Sequence, residues 1–141
     1  MSYYDLIDQQ HESPTLGALV GAWRLHHLQG FYSDGEVLEK ADPQVTGYLT
    51  YAADGVASIV LGALDRLYLD AGDFRLDERS ATVSHQFDIA LFPDWHCAPF
   101  MARAQISHGT LSLRPTPVIA PDGRTLLLQF FWNRVDAAEA A

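Results

Sequence analysis

Residues 81–95 read ATVSHQFDIALFPDW and alternate between apolar and polar side chains. Successive side chains of an extended strand lie on opposite faces, so this period of two predicts a strand with one buried face and one solvated face. The single histidine of the run falls on the apolar face, and a histidine ring titrates near neutral pH. The members of that face are Ala81, Val83, His85, Phe87, Ile89 and Leu91.

Further β-prone runs lie on both sides of this strand and are separated by turn signals. Asp54-Gly55 and His108-Gly109 are two such signals, and Asp-Gly in particular is typical of a hairpin. The runs that surround the turns are residues 22–31, 47–51, 56–61, 74–76, 101–107, 111–113 and 125–135. Roughly eight short strands with almost no helix predict an all-β barrel or sandwich, and the short connections favour an up-and-down antiparallel order.

The remaining segments complete a one-domain organisation. Ser13 as N-cap and Pro14 at the first helical position predict a short helix that ends at Gly21. With 141 residues, 48% of them hydrophobic, the chain has the length and composition of one domain with a real core. We assign residues 1–14 to an N-terminal arm, residues 15–136 to the barrel and residues 137–141 to a C-terminal tail.

Charge and composition exclude several classes of partner. The formal net charge is −9, and eight of the nine basic residues are arginines scattered singly, which argues against nucleic acid and anionic membrane surfaces. No secretory leader and no membrane-spanning run is evident, so the cytoplasm is the expected compartment. The single cysteine, Cys97, cannot form an internal disulfide and is expected to be an inert small hydrophobe.

Gly21-Ala22-Trp23 on the first strand, taken with Arg134 at the end of the last, resembles the lipocalin pattern. In that pattern a G-x-W tryptophan closes the floor of a barrel and a late arginine lies across it. A cation stacked on an indole face can seal an open barrel end. The resemblance therefore implies an up-and-down, lipocalin-like (calycin) barrel that is closed by Trp23 and Arg134.

Longer segments extend the resemblance to the small lipocalin-like domain family of bacteria and fungi. That family typically reads L-x-G-T-W-R-L, G-Y-L-x-Y-x-x-D-G, H-x-x-x-x-L-F-P-x-W and W-x-R-V. The matching segments here are LVGAWRL at 19–25, GYLTYAADG at 47–55, LFPDW at 91–95 and WNRV at 132–135. The chain departs from the family at Ala22, where threonine is usual, and at residues 62–71, where the family has a longer, partly helical insert. Barrels of this type serve as carriers of apolar ligands and as cyclases or isomerases of natural-product pathways.

Three titratable side chains are the candidate catalytic residues. His85 is predicted to face the barrel interior, where it could act as general acid or base on an enolisable carbon. If Trp23 faces inward, strict alternation brings His27 inward as well, together with Leu25, Gln29 and Phe31. Arg103 either lies outside, with its alanine neighbours facing in, or faces in as a partner for a carboxylate or enolate; the family has arginine here, which favours the interior. The alternative for each histidine is a core position satisfied by a hydroxyl or a backbone group.

Aromatic and apolar side chains are predicted to form the wall of the same site. No C-x-x-C, H-x-H or H-E-x-x-H spacing occurs, and there is neither a glycine-rich phosphate loop nor a G-x-S-x-G motif, so we predict no metal and no cofactor. The predicted substrate-binding residues are Tyr48, Tyr51, Phe87, Ile89, Trp95, Met101, Phe130 and Trp132.

Taken together, the sequence predicts a barrel whose interior binds a small, largely apolar organic molecule. The leading hypothesis is a cofactor-free cyclase, isomerase or lyase acting on a polyketide-like or aromatic substrate. His85 would be its acid and base, with Arg103 and His27 stabilising charge. One alternative is a non-catalytic carrier in which His85 is hydrogen-bonded and inaccessible. A homodimeric scaffold is a third possibility if side chains fill the barrel.

Overall fold

The computed structural model describes residues 14–37, 46–63, 66–90, 100–119 and 122–135, and the statements below concern those ranges. They form one short helix and nine strands. The helix is α1 (Leu16–Leu19). The strands are β1 (Gly21–Tyr32), β2 (Thr46–Tyr51), β3 (Val56–Ala63), β4 (Arg66–Asp77), β5 (Thr82–Ala90), β6 (Phe100–Ser107), β7 (Thr110–Pro115), β8 (Val118–Ile119) and β9 (Thr125–Arg134). No helix within these ranges has the length and apolar character needed to cross a membrane.

The strands close into a single antiparallel barrel. From β1 to β7 each strand pairs with the next one in the chain, and β9 pairs with both β7 and β1. The two-residue strand β8 adds to β9 beside this ring, where Val118 pairs with Leu126. A ring of eight strands without an open edge confirms the prediction of an all-β, up-and-down, lipocalin-like barrel with a short N-terminal helix.

The core lies inside this ring because alternate residues of each strand point inward. On β2 the buried positions are Gly47, Leu49 and Tyr51, and on β7 they are Leu111, Leu113 and Pro115. Apolar side chains from the other strands meet them in the centre and form one hydrophobic cluster. The fully or almost fully buried members include Trp23, Ala57, Phe74, Val83, Ala102, Ala104, Leu128, Phe130 and Trp132.

A bulge in β1 breaks the alternation that the sequence analysis assumed. Leu25 pairs with Trp132 and His27 pairs with Phe131, so His26 is an extra residue between two consecutive positions of β9. Both histidines are exposed as a result. The residues of β1 that face inward after the bulge are Leu28 and the buried Gly30. The prediction that His27, Gln29 and Phe31 face inward with Trp23 is therefore wrong, since one inserted residue exchanges the two faces of a strand.

One end of the barrel, which we call the closed end, is built by α1, Gly21, Trp23 and Arg134. The Arg134 guanidinium lies 4.2 Å from the centre of the Trp23 ring and donates to the carbonyls of Val20 and Ala18. The Trp23 indole nitrogen donates to the Leu19 carbonyl at 3.0 Å. The two residues that carry the lipocalin resemblance thus lie against each other and against the end of the helix.

Two details of this end differ from the sequence analysis. Thr15, not Ser13, is the N-cap of α1, since its side chain accepts a hydrogen bond from the Ala18 amide at 3.2 Å. The helix then ends at the C-cap Val20 rather than at Gly21. Ser13 itself lies outside the described residues.

Candidate functional site

A buried histidine and a buried tyrosine form the polar centre of the barrel interior. His85 on β5 and Tyr51 on β2 are only 2% and 1% exposed. The Tyr51 hydroxyl and the Nε2 atom of His85 share a hydrogen bond of 2.6 Å. The two side chains reach each other across the interior, because their strands are separated by β3 and β4 in the sheet. His85 therefore lies inside the barrel and is engaged there by a hydroxyl.

The surroundings of this pair are apolar. The Phe74 ring packs against Tyr51 with 4.7 Å between ring centres, and Phe74 is also the β4 residue opposite His85. Burial raises the pKa of the Tyr51 phenol far above its ordinary value, so the hydroxyl keeps its proton. That hydroxyl can donate to an unprotonated Nε2 or accept from a protonated one. The pair can thus accommodate the imidazole with or without a proton on Nε2, which general acid and base chemistry requires.

Asp70 is a further titratable group of the inner face, and the sequence analysis did not identify it. Cross-strand neighbours share a face, and Asp70 is opposite Ile59, which packs against the core. Burial raises the pKa of the Asp70 carboxyl above its ordinary value. Asp70 lies on the same face of β4 as Gly72 and Phe74, because alternate residues of a strand share a face. The sequence does not reveal this, since residues 62–70 show no clear strand pattern.

Trp132 brings an unsatisfied donor to the interior. Its side chain is fully buried on β9, between Leu25 of β1 and Leu111 of β7. Its ring stacks on that of Phe130, with 6.2 Å between centres and 14° between planes. Among the residues that the structure describes, the indole nitrogen has no hydrogen-bond partner. A buried N–H of this kind is rare in folded proteins.

Four of the predicted site residues lie on the outer surface instead. The bulge at His26 turns His27 outward, where its ring stacks on that of Phe131. Arg103 is exposed because its neighbours Ala102 and Ala104 occupy the inner face of β6. Tyr48 on β2 and Met101 on β6 also occupy outward-facing positions of their strands, and their side chains are 51% and 45% exposed. These positions are corrections to the predicted interior site.

The last three predicted wall residues are not placed. Phe87 and Ile89 belong to β5, whose backbone alone is described at those positions. The register with β4 shifts there, since Gly72 pairs with Phe87 and Ala71 with Ile89, so strict alternation does not extend along this part of the strand. Trp95 lies outside the described residues, as does Cys97.

Small side chains line part of the interior. Ala57, Ala102 and Ala104 are all buried on the inner face, on strands β3 and β6. Of the two orientations predicted for β6, the structure has the one in which Ala102 and Ala104 face inward and Arg103 faces outward. An alanine side chain occupies less of the interior than a larger apolar side chain would.

The outer surface of the described residues carries an open groove and no cluster of metal ligands. Within the described ranges, no three His, Cys, Asp or Glu side chains come together as metal ligands would. A groove of about 820 Å³ runs along the closed end between α1 and the β4–β5 turn. It touches Leu16, Phe74 and Glu78, and the Glu78 carboxylate accepts from the Leu16 amide at 3.0 Å. This groove is open to solvent, and neither Tyr51 nor His85 is among the residues that line it.

No family model matches this chain, and a search of curated proteins likewise found no match. The functional assignment below therefore depends on the geometry of the barrel and on the motifs in the sequence.

Proposed function

We propose that the barrel interior binds a small, largely apolar organic molecule. The observation that carries the proposal is the Tyr51–His85 pair, a hydrogen-bonded acid and base buried among apolar side chains. Ligand sites in proteins typically combine an apolar wall with a few placed polar groups. Trp132 and Phe130 supply aromatic wall, and Ala57, Ala102 and Ala104 are the small side chains beside which a ligand would fit.

The finer part of the proposal is cofactor-free acid and base catalysis on an enolisable substrate, as in a cyclase, isomerase or lyase. His85 would take a proton from the carbon next to a substrate carbonyl while the Tyr51 hydroxyl donates to the oxygen that becomes an enolate. Return of the proton from His85 to a different carbon would complete an isomerisation without any other reactant. Arg103 and His27 have no part in this scheme, since both are on the outer surface.

A non-catalytic carrier is the second candidate, and one observation favours it. The Nε2 atom of His85 is already engaged by Tyr51 at 2.6 Å, as expected of a core histidine satisfied by a hydroxyl. In a carrier the pair would only stabilise the barrel, and the ligand would be bound by the apolar wall.

Membership of the small lipocalin-like domain family is part of the same proposal. Its support is the closed end, where Arg134 stacks on Trp23 and where Gly21 lies so close to Arg134 that a Cβ atom would be 2.6 Å from the Nη1 atom. These contacts give a physical reason for each residue of the G-x-W and late-arginine pattern.

The ketone 2-tetralone is a suitable probe, because it is small, apolar and enolisable. We expect the wild type to quench its tryptophan fluorescence saturably with 2-tetralone and to accelerate exchange of the probe's α-protons in D2O, followed by NMR. His85→Gln should retain binding but lose the acceleration, since glutamine can hydrogen-bond Tyr51 but cannot take up the proton. His27→Gln is the matched control on the outer surface and should behave as the wild type.

The outcomes separate the candidates. Binding without acceleration in the wild type supports the carrier, and acceleration that survives His85→Gln contradicts the assigned acid and base. Absence of saturable binding to the wild type contradicts the proposed interior site itself.

A further inference from the structure

Trp23 and Trp132 occupy the same barrel but differ in what their indole nitrogens contact. Both side chains are fully buried. The Trp23 nitrogen donates to the Leu19 carbonyl, whereas the Trp132 nitrogen has no partner among the described residues. Leaving a buried donor unpaired is costly, and such donors are rare in folded proteins.

The chemistry of the missing partner follows from the indole group. An indole nitrogen is a donor only, so the group that satisfies it must be a hydrogen-bond acceptor. The cross-strand neighbours of Trp132 are Leu25 and Leu111, and its ring stacks on Phe130. None of these side chains can accept a hydrogen bond, so an acceptor brought into the interior by a bound molecule would satisfy a donor that has no partner among the described residues.

The surroundings also indicate the charge of that molecule. A buried carboxylate needs a paired cation, because removing an isolated charge from water is very costly. Arg103 and His27 are on the outer surface and Arg134 lies at the closed end against Trp23, while the interior imidazole of His85 is already engaged by Tyr51. A neutral acceptor such as the carbonyl oxygen of a ketone, ester or amide fits this environment better than an anion.

We propose that the Trp132 Nε1–H is the recognition donor of the interior site and binds an uncharged carbonyl oxygen of the ligand. This inference depends on the proposed function, since it names the ligand class of the same site. An apolar wall provides little selectivity by itself, and a donor that is otherwise unsatisfied penalises any ligand without an acceptor. The interior should therefore prefer apolar carbonyl compounds over hydrocarbons of the same shape.

Two probes of nearly identical shape test this preference. The two probes are 2-acetylnaphthalene, which carries a carbonyl oxygen, and 2-isopropenylnaphthalene, which carries a CH2 group in place of that oxygen. We expect the wild type to bind the ketone roughly fivefold more tightly, the effect of one net hydrogen bond. Trp132→Phe removes the donor while keeping an aromatic ring, so it should bring the two affinities within about twofold of each other, with circular dichroism confirming the fold.

A measurement on the wild type identifies the donor directly. The chain contains three tryptophans, so an indole ¹⁵N–¹H spectrum holds few signals, and the Trp132→Phe variant assigns one of them. The ketone should move the Trp132 signal downfield and the hydrocarbon should not. The Trp23 signal, whose hydrogen bond to Leu19 is already made, should change little.

Each other outcome counts against the inference. Equal binding of the two probes to the wild type contradicts the recognition donor while leaving an apolar binding site in place, and it is also the result expected if a tightly held water satisfies Trp132. A preference for the ketone that persists in Trp132→Phe assigns the donor to another group. If neither probe binds, the proposed function fails and the inference fails with it.

Discussion

At the scale of single residues, the side chains that distinguish this barrel from an apolar core are Tyr51, His85, Asp70 and Trp132. Each is polar, and each lies on the inner face of the barrel. Tyr51 and His85 satisfy each other, whereas Trp132 finds no partner among the described residues. The interior therefore holds one hydrogen-bonded polar pair and, among the described residues, one buried donor without an acceptor.

The Tyr51–His85 hydrogen bond should contribute measurably to stability. Tyr51→Phe removes the hydroxyl, so the Nε2 atom of the buried His85 loses the hydrogen bond that it shares with Tyr51. We therefore expect the free energy of unfolding to fall by about 1–3 kcal/mol. Urea denaturation followed by circular dichroism measures the change. Tyr48→Phe on the same strand is the control, because Tyr48 is exposed and its substitution should change stability by less than about 0.5 kcal/mol. Equal effects of the two substitutions would contradict the structural role of the pair.

At the scale of elements, the closed end shows how a helix of four residues is held against the barrel. Arg134, from the last residue of β9, stacks on Trp23 of β1 and donates to carbonyls at the end of α1. The first and last strands of the barrel are thereby joined to the helix by one side chain. This arrangement needs a residue without a side chain at Gly21, which combines a φ of +137° with close approach of the guanidinium.

Gly21→Ala should therefore weaken the closed end. The added Cβ atom would collide with Arg134 and occupy a backbone region that L-residues rarely adopt, so we expect a loss of roughly 1–3 kcal/mol. Hydrogen exchange should also become faster at the amides of Leu19 and Val20, which donate to carbonyls within this segment. Gly17→Ala is the matched control, since a Cβ atom there meets nothing within 4 Å and alanine favours a helix. An unchanged stability of Gly21→Ala would show that Arg134 is not held at this position.

At the scale of the whole molecule, the stability of the barrel should depend on pH through Asp70. Its carboxyl has a pKa raised by burial, and its cross-strand neighbours, Ile59 and Ala90, carry no charge. The folded state therefore holds this proton more tightly than the unfolded chain. That contribution is complete below the unfolded pKa and is lost as the pH rises through the folded one.

Asp70→Asn should accordingly raise the urea midpoint at pH 7, because an amide does not ionise on the inner face. The gain should shrink as the pH falls from the raised pKa of the folded state towards about 4, and it should be smallest below that pH, where the carboxyl is protonated in both states. Asp73→Asn on the same strand is the control, since that exposed side chain is in water and its substitution should move the midpoint little. A gain from Asp70→Asn that is the same at pH 7 and pH 3 would contradict the argument from burial.

The fold could be predicted further than the site. Turn residues and short alternating runs indicate an up-and-down barrel, because hairpins and a period of two are local properties of the chain. The same alternation predicts that His85 faces the interior, and it does so because β5 is regular from Val83 to His85. The sequence does not identify Asp70, because its segment has no clear period, and it does not decide which face of β6 carries Arg103.

Local sequence is sufficient to predict which runs are strands, where they turn and which residues share a face within a regular strand. Where that regularity is interrupted depends on how the strands pair in the closed barrel. The extra residue at His26 is recognisable only from the pairing of β1 with β9, since Leu25 and His27 are opposite the consecutive residues Trp132 and Phe131. A bulge is a property of two strands, and a single inserted residue exchanges inside and outside for all that follows. The partnership of Tyr51 with His85 likewise exists only once the sheet has closed into a barrel.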